Sequence, residues 1–176
     1  MHLALLCMFC ISLTDLVLAS PQARVVNNCP FTIYLQSVQT EASHIEELTP
    51  GDVYTEELKL ALNGTGVSIK ISRSIQALVS AVAGAITQLE YAYTPWMLPY
   101  PDVYYDVSDI DDRQPRQFCD YGFALQGPRV DCPTVTCPPD CGNFCAEVYN
   151  KPKDDYATRA CQSGGTGVIS LAMCVA

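Results

Sequence analysis

A chain of 176 residues sets the scale at one domain, or one domain behind a removable leader, and rules out two large domains. With 49% hydrophobic and 16% charged residues it is too apolar for a disordered chain, and a formal charge of −9 without any basic stripe excludes a phosphate backbone as partner. Only His2 and His44 are histidines, so a histidine-rich metal site is excluded and any Ser-His-Asp triad in the mature chain would have to use His44.

Residues 1–19, MHLALLCMFCISLTDLVLA, carry an apolar run from Leu3 to Leu13 and end with Val17 and Ala19 at the positions a signal peptidase reads. This is the pattern of a secretory signal cleaved before Ser20, although His2 stands where Lys or Arg is usual and Asp15 interrupts the apolar stretch. The run is shorter than the roughly 20 apolar residues of a spanning helix, and Ile75 to Ile86 is too short as well. The expected mature protein is therefore one domain over 20–176, outside the cell and without a membrane segment.

Arg24 to Val38, RVVNNCPFTIYLQSV, is rich in β-branched and aromatic residues around a turn-like Asn-Asn-Cys-Pro, which predicts two short strands joined by a tight bend. Glu41, Glu46, Glu47, Asp52, Glu56 and Glu57 follow without basic neighbours and read as a solvated face, broken by the Pro50-Gly51 turn signal. Asn63-Gly64 predicts a hairpin into the alternating strand Val67 to Arg73, and Asn63-Gly64-Thr65 is an N-glycosylation sequon that the turn would place on the surface. Ile75 to Ile86 fits a short buried helix or a core strand equally well. Thr87 to Thr94 and Val103 to Ser108 are strand-like and flank the proline-broken loop Pro95 to Pro101. After Cys119 the chain is dominated by Cys, Pro, Gly and Asp, with a short helix expected near Asn143 to Tyr149 and a final strand at Val168 to Cys174. No repeat or Gly-Ser linker marks a second domain.

Of ten cysteines, Cys7 and Cys10 fall in the leader, leaving Cys29, Cys119, Cys132, Cys137, Cys141, Cys145, Cys161 and Cys174. An even set in a secreted chain predicts four disulfides, with pairings that spacing alone does not resolve. The cluster from Cys132 to Cys145 lacks the paired C-x-x-C knuckles of a zinc ribbon, and an oxidising compartment removes the thiolates, so no metal is expected. The run Asp109-Ile110-Asp111-Asp112-Arg113 likewise lacks the glycine and distal Glu of an EF-hand calcium loop.

Several pieces together resemble one family. VVNNCPFTIY is similar to the opening strand of thaumatin-like (thaumatin and osmotin) proteins, LEYAYTP followed by VYYDVSDID resembles their paired acidic strands, and CPTVTCPPDCGNFCAEVY through ACQSGG to LAMC looks like the short secreted fungal antigens and yeast-phase-specific members. The likeness covers most of 24–176. It implies an all-β, thaumatin-like sandwich with a cysteine-rich, disulfide-held C-terminal lobe and a Cys29–Cys174 bond joining first strand to last. It also implies an acidic surface cleft associated with β-1,3-glucan. Matched residue by residue, Glu90, Asp106 and Asp111 would line that cleft. Arg73 is a candidate for its arginine, and its fifth acidic position has no match. Larger members carry more cysteines than this chain.

A glycosidase needs two carboxyls about 5 Å apart for retention or roughly 6.5–9.5 Å for inversion. Glu90 and Asp106 can share a face if their strands are neighbours, whereas Asp111 has the opposite parity to Asp106 and needs a bend after Ser108. Alternation puts Tyr91 and Tyr93 in the core, and Trp96, in a loop between prolines, either packs against that loop or serves as an exposed sugar-stacking platform. Three functions follow: a secreted binder of cell-wall β-1,3-glucan or another wall polysaccharide without efficient catalysis, a weak endo-β-1,3-glucanase with Glu90 as proton donor, or a non-enzymatic antigen or effector that binds a protein. In each the chain is a monomer without a cofactor.

Overall fold

The computed structural model describes residues 20–80, 84–112, 116–141 and 144–175. The leader expected over 1–19 lies outside them. Among the described residues the strands are β1 (Gln22–Asn27), β2 (Ile33–Val38), β3 (Glu46–Leu48), β4 (Val53–Glu57), β5 (Val67–Ser72), β6 (Thr87–Tyr93), β7 (Val103–Ser108), β8 (Phe123–Gln126), β9 (Val135–Cys137), β10 (Arg159–Cys161) and β11 (Val168–Met173), with one short α-helix, α1 (Ile75–Ser80). They form a five-stranded sheet in the order β4-β1-β11-β8-β9 and a six-stranded sheet in the order β10-β7-β6-β5-β2-β3. Alternating apolar residues of each sheet meet in one core: Val25, Leu125 and Leu171 from the first, Leu35, Ile69, Leu89 and Val107 from the second. This is a β-sandwich.

The bend at Asn-Asn-Cys-Pro does join two strands, yet they enter different sheets: β1 pairs with β4 and, in parallel, with β11, while β2 pairs with β3 and β5. Asn27 holds the corner. Its buried side-chain amide donates to the carbonyls of Phe31 (3.0 Å) and Leu48 (2.9 Å), and its Oδ1 accepts from Cys29 N–H (3.0 Å) in an Asx turn. Cys29 then bonds Cys174, just beyond β11. The other pairs are Cys119–Cys141, Cys132–Cys161 and Cys137–Cys145, all within the C-terminal part.

Three local expectations are corrected. Asn63-Gly64 is a turn with both residues at positive φ (56° and 76°), but the strand before it, β4, belongs to the first sheet and β5 to the second, so no hairpin forms. The helix expected near Asn143 to Tyr149 is absent among the described residues. There the Cys137–Cys145 bond and the Tyr149 N–H to Val107 carbonyl bond (3.0 Å) hold the chain in turns instead. Glu56 is not part of a solvated face: it accepts from the Tyr54, Tyr91 and Ser37 hydroxyls and pairs with Lys59 at 2.8 Å, closing the gap between β4 and the second sheet.

The segment left open between helix and strand resolves as α1 over Ile75–Ser80. Its Ala77 and Leu78, with Ile86, pack against Tyr34 and Ile45, so it covers one end of the outer face of the six-stranded sheet. The remainder of that face carries the candidate site.

Candidate functional site

Strand parity decides which side chains meet on the uncovered face. Core positions Val67, Ile69, Ile71, Leu89, Tyr91, Tyr105 and Val107 fix the inward side, so Ser68, Lys70, Glu90 and Asp106 point outward. The register then aligns Val38, Ser68, Glu90 and Asp106 in one row across four strands. Glu90 and Asp106 are direct cross-strand partners. They line a cavity of about 480 Å³ together with Gln39, Ala92, Tyr104, Tyr149 and Thr158. Tyr149 reaches it because its segment runs back along the end of β7 and bridges to Ser108, while its hydroxyl hydrogen-bonds Thr158 at 2.7 Å.

The pair is not a simple acidic surface. Burial, then the charge of Glu90 and a hydrogen bond with it, push the Asp106 carboxyl up to about 8, against which Arg159 acts. Burial also raises Glu90, opposed by Lys70 and reinforced by Asp111. At neutral pH the pair therefore retains a proton, with burial favouring the more deeply buried Asp106 carboxyl as its holder.

The other expected residues part company. Asp111 follows the required bend, formed where Asp112 N–H bonds the Asp109 carbonyl (3.0 Å), and its charge is felt at Glu90, although it does not line the cavity. Arg73 is corrected. It stands beyond the far end of β5, its guanidinium 4.0 Å from the Phe31 ring centroid and 5.7 Å from that of Tyr121, and it is absent from the cavity. Lys70 is the cation beside Glu90, and sequence reasoning passed over it even though its parity with Ser68 and Ser72 was readable. Trp96 is 56% exposed on a turn over Pro95–Met97 at the tip of the β6–β7 hairpin, outside the cavity. Tyr91 is buried in the core and Tyr93 is partly buried against it.

Asp109 and Asp112 turn inward. Asp109 pairs with Arg116 at 3.0 Å and accepts from Thr87 (2.9 Å), and Asp112 accepts from Gln117 N–H (3.1 Å). A second groove, of about 660 Å³ between residues 126–130 and 163–168, has no carboxylate in its lining.

Comparison with known proteins agrees with this architecture. The solved structure of the protein elicitor MoHrip2 from Magnaporthe oryzae superposes with a TM-score of 0.65 at 21% identity, covering 89% of this chain and 100% of that one. The thaumatin-like xylanase inhibitor TLXI does so with a TM-score of 0.52 at 11% identity, covering 87% and 99%. The fold is thus the thaumatin-like β-sandwich. By sequence, an antigenic thaumatin-like protein of Arthroderma benhamiae is 32% identical over 79% of this chain and 64% of its own length. A secreted thaumatin-like protein, calA, of Emericella nidulans is 33% identical over 84% of this chain and 78% of its own. Residues 10–174 match the family described as Blastomyces yeast-phase-specific protein, and the chain belongs to that family. It is a short thaumatin-like protein of fungal type, disulfide-bonded and secreted.

Proposed function

We propose that the mature protein binds cell-wall β-1,3-glucan through the Glu90–Asp106 cleft and does not hydrolyse it efficiently. The observation that carries this reading is the carboxyl pair in a tyrosine-walled cavity on an otherwise open sheet face. Ionised and protonated carboxyls together both accept and donate to sugar hydroxyls, and flanking aromatic rings suit the apolar faces of the sugar. The same pair argues against catalysis. Direct cross-strand partners have Cβ atoms about 4.5–5.5 Å apart and project from one sheet face, so the two carboxyls face the same side of a ligand instead of flanking a sugar bond as a glycosidase pair does. Weak endo-β-1,3-glucanase activity, with Glu90 as proton donor and Asp106 as the second carboxylate, would require one carboxyl to act as acid while its partner stays ionised on the other side of the sugar bond.

Retention on insoluble β-1,3-glucan tests the proposal. The Glu90→Gln/Asp106→Asn double variant should bind about tenfold more weakly, the loss expected for charge-assisted hydrogen bonds, and wild type should release few reducing ends. Equal retention of wild type and a folded double variant would overturn it. That outcome would favour a protein-binding antigen or effector, a reading supported by the exposed apolar tip Trp96, Met97, Leu98 and Tyr100.

A further inference from the structure

Two carboxyls facing each other across neighbouring strands repel when both are ionised, and burial makes the repulsion more costly. Glu90 and Asp106 are such register partners, and Asp106 is only 9% exposed, with an Oδ1 that has no hydrogen-bond partner among the described residues. The charged and titratable groups facing the pair are Lys70 from β5, Asp111 from the turn after β7, Tyr149 from the returning segment and Arg159 from β10. Neither cation neutralises the pair completely. Arg159 is occupied with the carbonyls of Tyr156 and Ala157 and lies 3.9 Å from Glu147, and Lys70 is offset by Asp111 in its effect on Glu90. The remaining charge is held down by a proton.

The hydroxyls of a neutral sugar leave that balance unchanged, whereas a compact cation with several donors can replace the proton. A divalent metal does not fit the role: among the described residues no group of three or more acidic, His or Cys side chains converges, and two carboxyls fall short of the six or more oxygens calcium takes. An ammonium does fit, since it carries one charge and three donors in fixed tetrahedral directions. Tyr104 and Tyr149 beside the pair supply the walls for the ring that would carry it.

Resting on the reading that this cleft holds a saccharide, we propose that its preferred ligand is a glucosamine-type glycan with unacetylated amines, one ammonium of which replaces the proton between Glu90 and Asp106. The ammonium N–H groups donate to both carboxylates, the Asp106 O–H bond breaks, and its proton passes to solvent. No electrons are transferred and no covalent bond forms to the ligand.

Calorimetric titration of the oxidised, secreted protein tests this with four probes: a glucosamine hexamer, an N-acetylglucosamine hexamer, a β-1,3-linked glucose hexamer and a tetralysine peptide. The titrations are run at about pH 5.5, where the amines are charged and the unliganded pair keeps its proton, in two buffers of different ionisation heat. The glucosamine hexamer should bind about tenfold more tightly than its N-acetyl counterpart and release up to one proton per site. Asp106→Asn should bring the two hexamers to within about twofold of each other and abolish the buffer dependence. Glu90→Gln, at the more accessible member of the pair, gives an independent removal of charge should Asp106→Asn fail to fold. Equal affinity for the glucosamine and N-acetylglucosamine hexamers, or a preference that survives both substitutions, overturns the inference. Glucose-hexamer binding without an amine preference overturns this inference alone and leaves the glucan reading in place. Binding of no saccharide overturns both. Tetralysine binding as tight as the glucosamine hexamer replaces the saccharide with a basic peptide.

Discussion

Asn27 and Asp106 show how much single polar side chains decide here. Asn27 is fully buried and satisfies three backbone groups at the corner where the chain passes from one sheet to the other. Asn27→Ala removes those partners at once and is expected to cost about 2–4 kcal/mol, read as a lower midpoint in denaturant unfolding. Asp106 works through its proton. The folded protein keeps it to about pH 8, whereas an unfolded chain releases it near the ordinary value of 3.8, so the folded state binds more protons between those limits. Stability is therefore full on the acid side of this window and falls as the pH rises through it. Asp112, raised to about 7 by burial and then by Asp109, acts in the same direction. Thermal unfolding should show a midpoint that declines from about pH 5 to pH 8, and Asp106→Asn should flatten the decline. A midpoint that rises over that range would show that the pair is ionised in the folded state.

Among the elements, β5, β6 and β7 are the most readable from sequence, because each alternates apolar and polar residues and so announces which side chains share a face. Glu90 and Asp106 are legible as same-face candidates for that reason. Their direct opposition is not, because it depends on the register set by the whole β6–β7 hairpin. The turn at Asn63 is the converse case. Its residues demand positive φ and receive it, yet local chemistry says nothing about which sheet the flanking strands join. Asn63 is exposed there, with Thr65 two residues on, and we propose it as the glycan acceptor. Mass spectrometry of protein secreted from a eukaryotic host should find the Asn63 peptide mainly glycosylated, and Asn63→Gln should remove the added mass while keeping the fold, since the side chain is exposed.

On the scale of the whole molecule, the Cys29–Cys174 bond joins the corner after β1 to the end of β11 across 145 residues of sequence. In the chain-entropy account a loop of that length stabilises by up to roughly 5 kcal/mol, whereas the bond between Cys137 and Cys145, only eight residues apart, gives about half as much. Replacing Cys29 and Cys174 by Ser should therefore lower the unfolding free energy more than replacing Cys137 and Cys145. Equal losses would mean that strain or residual structure in the unfolded chain outweighs loop length. The parallel β1–β11 pairing next to this bond places both ends of the domain in the middle of one sheet, so neither end is an open edge.

By itself the sequence determined the number of disulfides, the strand character of most of the chain and the polar face of the acidic strands. Composition, periodicity of two and an even cysteine count are local properties that need no partner to be read. Only the tertiary structure decided that β1 and β2 part into separate sheets, that Lys70 and not Arg73 stands beside Glu90, and that Tyr149 returns along the end of β7 to wall the cleft. It also raised the Asp106 carboxyl well above its ordinary range. Each of these depends on residues far apart in the chain being brought together. The burial that raises the Asp106 carboxyl exists only once two sheets, a returning segment and a strand register have closed around it.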